Sequence, residues 1–175
     1  VVEYNGIDSG DETYLTSTST NNPNTQATAE INEPTTQAHT VTFSSVAYTQ
    51  MDVGWTNGNG TNRVVFVKAS NTGTATPVDD TSYTANAAFG SGTQISSTGW
   101  YAVYNGTGTS VTVTGLTAGT DYIAQVFEYE TYTTSYDYLT DTASSNPNTQ
   151  ASTSVTTPSS QATNVSFSSV RSEDH

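Results

Sequence analysis

The sequence predicts an all-β protein built from antiparallel sandwiches strung in a tandem array, and three observations carry that prediction. Thr, Ser, Val, Tyr and Gly crowd the 175 residues while the strong helix formers Leu, Lys, Glu and Arg are scarce, which favours short strands and polar turns. Apolar residues recur with a period of two in several segments, and none shows helical periodicity. Long motifs also return: Asn22-Pro23-Asn24-Thr25-Gln26-Ala27 is repeated unchanged from Asn146 to Ala151, and Glu3-Tyr4-Asn5 reappears as Glu128-Tyr129-Glu130. Thr42-Phe43-Ser44-Ser45-Val46 reappears as Ser166-Phe167-Ser168-Ser169-Val170, so Phe43 and Phe167, like Pro23 and Pro147, stand 124 residues apart. A domain-length period marks an array of similar units.

The expected organisation follows from that period. Residues 1–31 correspond to the C-terminal strands of a preceding repeat, 32–38 to a linker, 39–155 to one complete domain, 156–162 to a second linker and 163–175 to the first strand of a following repeat. Pro34 and Pro158 stiffen the two linkers. The rival expectation, a whole subunit completed by strand exchange, fails because the ends supply no counterpart of residues 50–116.

Within the complete unit the elements run in order. Val41, Phe43 and Val46 mark a first strand, and Met51, Val53 and Trp55 a second with period two. Asn57-Gly58-Asn59-Gly60 is a turn, since Asn and Gly adopt positive φ at little cost. Arg63-Val64-Val65-Phe66-Val67-Lys68 is a third strand, apolar on both faces, so its outer face needs a cover. A loop-rich stretch over 71–99 leads to strands at 100–104, 111–116 and 122–129, giving about seven in all, enough for a sandwich.

Trp55 on the second strand, the corner Leu116-Thr117-Ala118-Gly119-Thr120-Asp121-Tyr122, and Tyr122 at the head of the next strand resemble a fibronectin type III domain. The resemblance implies structural roles: Leu116 plugs the end of the core, the Tyr122 hydroxyl bonds back to the corner backbone, and Trp55 packs between the sheets. Pro77-Val78-Asp79-Asp80-Thr81-Ser82-Tyr83-Thr84-Ala85-Asn86, Phe89-Gly90-Ser91-Gly92 and Val103-Tyr104-Asn105-Gly106-Thr107-Gly108 resemble a fibronectin-like repeat with a long insertion, found in tandem in large bacterial secreted or surface proteins. That resemblance spans residues 37–155 and implies spacer, adhesin or fibre duty without assigning a ligand. No Arg-Gly-Asp tripeptide is present, so integrin-type recognition does not carry over.

Charge narrows the partners. Three basic residues against sixteen acids give a net charge of −13, which repels phosphate backbones and argues against nucleic acid. No apolar run approaches a membrane span, so membrane insertion is not expected of this segment. With no Cys, stability rests on packing without disulfides.

Candidate sites are few. A Ser-His-Asp arrangement around His39 is weaker than an ordinary role for that residue at a strand entry. Glu128 and Glu130 share one side of a strand, but the second carboxylate is Asn5 in the other copy, so no acid/base pair is common to the repeats and no enzyme is expected. Calcium is the one candidate cofactor, at Asp79 and Asp80 or at the crowded Asp8, Asp11 and Glu12, against the plainer reading of a solvated acidic surface. Candidate glycosylation sites are Thr142, in Asp141-Thr142-Ala143, which resembles a short bacterial O-glycosylation motif, and the sequon residues Asn59, Asn105 and Asn164. If Tyr122, Ala124 and Val126 point inward, then Ile123, Phe127 and Tyr129 point outward beside Val64 and Phe66. Either the insertion folds over that patch through Tyr83, Phe89 or Ile95, or the five residues form a lateral interface with another repeat or chain.

The function expected is a non-catalytic structural repeat of an extracellular or cell-surface bacterial fibre or adhesin, with neighbouring repeats, identical chains or glycans as partners. The alternative is a spacer or carbohydrate-binding accessory module of a secreted polysaccharide-degrading enzyme, with Trp100, Tyr101 and Tyr104 stacking on sugar.

Overall fold

The computed structural model describes residues 2–5, 13–26 and 32–166 and divides into two compact units, Val1–Glu30 and Ile31–His175. The first contains β1 (Tyr4–Asn5) and β2 (Thr13–Tyr14), paired antiparallel with Tyr4 opposite Tyr14. The Leu15 amide donates to the Glu3 carbonyl at 2.9 Å. A turn then pairs Ser19 with Asn22, ahead of a cis Asn22-Pro23 peptide.

The second unit is a sandwich. Its first sheet contains β3 (His39–Ser44), β4 (Gln50–Thr56) and β7 (Ser110–Thr114), in the order β3-β4-β7. Its second contains β5 (Asn62–Ala69), β6 (Tyr101–Gly106), β8 (Asp121–Tyr132), β9 (Ser135–Tyr138) and β10 (Asn148–Ala151), in the order β10-β8-β5-β6 with β9 also on β8. All pairings between named strands are antiparallel. The β4 pattern is the expected alternation: Met51, Val53 and Trp55 are buried, and the residues between them less so.

Between the sheets, Val41, Met51, Val53, Trp55 and Val113 of the first pack on Val65, Val67, Val103, Tyr122, Ala124 and Val126 of the second. Leu116 closes one end. Period two then sends Val64, Phe66, Ile123, Phe127 and Tyr129 to the opposite face of the second sheet, where a separate core includes Ala75, Tyr83, Ile95 and Trp100 from residues 71–100. The five residues offered as a lateral interface are therefore interior; none is more than 4% exposed. The insertion covers the patch through Tyr83 and Ile95, and Phe66 meets Tyr83 edge-on at 5.0 Å between ring centres. Phe89 does not join this cover. It crosses the sheet edge and packs edge-on against Tyr101 and Tyr122.

The insertion has no named strand, yet its backbone is bonded to both neighbouring sheet edges. Asn86 and Thr93 bond both polar backbone groups of Ala102 on β6, while Ala87 and Phe89 bond Thr114 on β7. Gly92 is required by this approach, since a Cβ there would lie 1.9 Å from the Ala102 carbonyl oxygen. Two sheet edges are closed in this way, removing templates for adventitious strand pairing.

Residues 161–166 are exposed and form no strand, and the remainder of the strand expected from 163 lies outside the described residues, as do Asp8, Asp11 and Glu12.

Candidate functional site: the strap and the closing hairpin

Residues 34–38 form a strap laid on the sandwich. Pro34, Gln37 and Ala38 are buried. Gln37 uses its whole amide: Nε2 donates to the carbonyls of Leu139 (2.6 Å) and Asp141 (3.0 Å), and Oε1 accepts from the amides of Ala38 (3.0 Å) and Glu128 (2.8 Å). Asn59 secures the other side, its Oδ1 accepting from the amides of Thr35 and Thr36 and its Nδ2 donating to Thr35 Oγ1. Gly58 permits this contact, because a Cβ there would stand 1.9 Å from the Thr36 carbonyl oxygen. The segment expected as a linker is thus fastened along 34–38.

Beneath the strap, β8 carries a buried ion pair. Glu128 is 0% exposed, accepting from Arg63 Nε at 3.2 Å, Arg63 Nη2 at 3.1 Å and the Gly58 amide at 2.9 Å. Arg63 also donates to the carbonyls of Thr107 and Gly60. This two-pronged geometry and its full set of partners make the buried charges tolerable. Glu130 accepts from the amide and hydroxyl of Thr61. Both carboxylates set aside as a candidate acid and base therefore hold the turn between β4 and β5.

The edge of β8 is completed by two short strands with a side chain between them. β9 pairs with residues 129–132 and β10 with residues 121–124. In the gap, Asn146 takes the place of a strand: Oδ1 accepts from the Val126 amide, and Nδ2 donates to the Val126 and Ala38 carbonyls. The turn that presents Asn146 pairs Ala143 with Asn146 and precedes a cis Asn146-Pro147 peptide, reproducing the geometry of Ser19, Asn22 and Pro23. The Leu139 amide donates to the Glu128 carbonyl as Leu15 does to Glu3. Sequence reasoning did not single out Gln37 or Asn146, although Gln37-Ala38 recurs as Gln161-Ala162 and Asn146 lies in the longest exact repeat.

The other sequence-derived residues fall as follows. Trp55 lies between the sheets, Leu116 is buried, and the Thr117 amide donates to the Tyr122 hydroxyl at 2.9 Å, the corner bond that was expected. Asp79 accepts from the Tyr138 amide at 2.9 Å, so it brackets β9. Among the described residues no group of three or more His, Cys, Asp or Glu side chains could hold a metal ion. Burial, with Asp79 and Asp80 beside it, raises the pKa of Asp137; Glu33 is raised by burial and by Asp137, Asp79 and Asp141. Burial likewise pushes Tyr138 and Tyr129 up.

Asn59 is occupied by the strap, and Asn105 donates to the Tyr83 carbonyl while accepting from the Tyr129 hydroxyl, so both amides are committed to the fold. Thr142 and Asn164 are exposed. His39 lines an open groove with Asp141 and Ser144, and its Nδ1 lies 2.8 Å from Thr40 Oγ1. The sugar platform expected of Trp100, Tyr101 and Tyr104 does not form. Trp100 is buried in the second core, whereas Tyr104 packs on Trp55 in the first and its hydroxyl accepts from the Gly108 amide.

One sheet of three strands faces one that carries β10-β8-β5-β6, closed by the tyrosine bond at the corner before β8. The fold is a fibronectin type III-like sandwich. No protein-family model matches the sequence, and no curated protein matches it. Similar solved structures include the fibronectin type III domain of human fibronectin type III domain containing protein 3, at 14% identity and TM-score 0.44 over 77% of this chain and 100% of that one. The corresponding domain of human contactin 1 is 11% identical with TM-score 0.42, covering 83% and 100%. A computationally redesigned β-sandwich protein is 14% identical with TM-score 0.42, covering 75% and 100%. The fold assignment stands on strand order and on the corner bond.

Proposed function

We propose that this chain is a non-catalytic structural repeat of an extracellular bacterial fibre or surface adhesin, acting by stringing folded units together. The observation that carries the reading is the recurrence of one piece of geometry in both units: the hairpin bond from Leu15 to Glu3 or Leu139 to Glu128, followed by the same Asn-Pro turn. A strap fastened by Gln37 and Asn59 supports the same reading, because its Gln37-Ala38 pair recurs as Gln161-Ala162. The hydrogen bonds that occupy Glu128 and Glu130 favour a role without catalysis. Neighbouring repeats are the first partners, identical chains the second, and Thr142 and Asn164 are the exposed candidates for attached sugar.

The test is fractionation of source cells with an antibody to residues 39–155, together with the intact mass of the reactive species. Surface or culture-medium material of very large mass is expected, with excess mass on the Thr142 peptide if it is glycosylated. A cytosolic chain of 18.4 kDa overturns the reading.

A further inference from the structure

The first unit repeats the closing hairpin of the second, but without what covers it. Val2 corresponds to Phe127, Glu3 to Glu128 and Leu15 to Leu139. Phe127 is 0% exposed and Leu139 7%, whereas Val2 is 60% and Leu15 61% exposed. Glu128 is paired with Arg63; Glu3 is exposed, and no described cation pairs with it. A groove of about 290 Å³ is lined by Val2, Leu15, Thr16 and Ser17, among others. In the second unit the carbonyls equivalent to those of Leu15 and Ser17 receive the Gln37 side chain.

We propose that this hairpin is a docking surface whose occupant is another copy of the repeat, namely a segment of the kind formed by residues 32–125. The inference rests on the repeat reading above and specifies the contact. Asn62, Arg63 and Val64 pair with Tyr129, Glu128 and Phe127, so the incoming strand lies antiparallel to residues 2–4 with its arginine opposite Glu3. Its glutamine enters the groove and bonds the Leu15 and Ser17 carbonyls. Charge complementarity selects the occupant: an apolar strand without that arginine would bury Glu3 uncompensated. The complete unit of a second copy of this chain does not serve, because its β8 already occupies the position opposite β5.

The experiment adds a copy of residues 32–125 in frame before Val1 of the full chain and follows amide exchange residue by residue. Exchange at residues 2–4 and at Leu15 is expected to slow on the order of a hundredfold relative to the unextended chain, as hydrogen bonds pass from a frayed edge into a core. Leu139 serves as an internal control for folding of the unit already complete. Arg63→Met in the added copy alone should abolish most of the gain, and Leu15→Asp should do the same. Unchanged exchange at residues 2–4 and Leu15 overturns the proposal, as does full protection that survives Arg63→Met. Neither result bears on cell-surface location or native mass, so a failed docking model and a failed fibre reading remain distinguishable.

Discussion

At the scale of single residues, Arg63 and Glu128 show how a sequence this poor in basic residues spends one of its three cations. Removing one partner strands the other charge in an apolar interior, so Arg63→Met is expected to cost about 3–5 kcal/mol, and the double replacement Arg63→Met with Glu128→Leu should recover most of it. Urea midpoints of the wild-type protein and the two variants check this, and equal losses in the single and double variants would refute it. Tyr122→Phe keeps the ring and loses the bond from the Thr117 amide, an expected loss of about 1 kcal/mol by the same measurement. Trp55, Leu116 and Tyr122 were legible because each is a distinctive residue at a fixed place in a strand or corner. Gln37 and Asn146 were not, because a buried amide that mimics backbone has no hydrophobic pattern; only its recurrence after 124 residues marks it.

Among the elements, the strap depends on the absence of a side chain. Gly58→Val would push a methyl-bearing carbon into the Thr36 carbonyl, and the expected outcome is release of residues 34–38, read as faster exchange at the Thr35 and Thr36 amides while β4 stays protected. The edge around β9 makes a prediction about pH. Asp137 and Glu33 have raised pKa values in the folded state, so the fold binds their protons more tightly than the unfolded chain does. Their contribution is unfavourable at neutrality and is relieved as pH falls through the raised values. Asp52, held low by its hydrogen bonds with Thr112 and Ser45, has the opposite sign and loses its contribution only below that range. The urea midpoint should therefore rise as pH drops from neutrality into the upper carboxylate range, and Asp137→Asn should flatten that rise; a monotonic fall in the wild-type protein would contradict it. The buried double face of β5 could be read from its continuous apolar run, and that of β8 from alternation of Tyr122, Ala124 and Val126 with Ile123, Phe127 and Tyr129. β9 and β10 escaped because they are short and carry little apolar pattern, and their place is set by pairing with β8 and by Asn146.

Over the whole molecule, sandwich class and the need for some cover followed from period-two patterning, because an outward row of Val, Phe, Ile and Tyr must be buried by something, whether the insertion or another repeat or chain. The path of the cover was not legible: whether Phe89 joins the second core or the first depends on where the backbone crosses the β6 edge, a tertiary event with no local signature. A different seam, between β3 and the C-terminal side of the sandwich, governs how the unit meets traction. β3 and the segment 144–153 lie side by side and run the same way, linked from Thr40 to Ser144, Val41 to Ser145, Val41 to Asn148, and Ala47 to Thr153. The polypeptide enters at one end of this seam and leaves at the other. Pulling on the two ends slides the strands lengthwise past each other and strains all of these bonds together, whereas a hairpin pulled at its open end unzips one bond at a time.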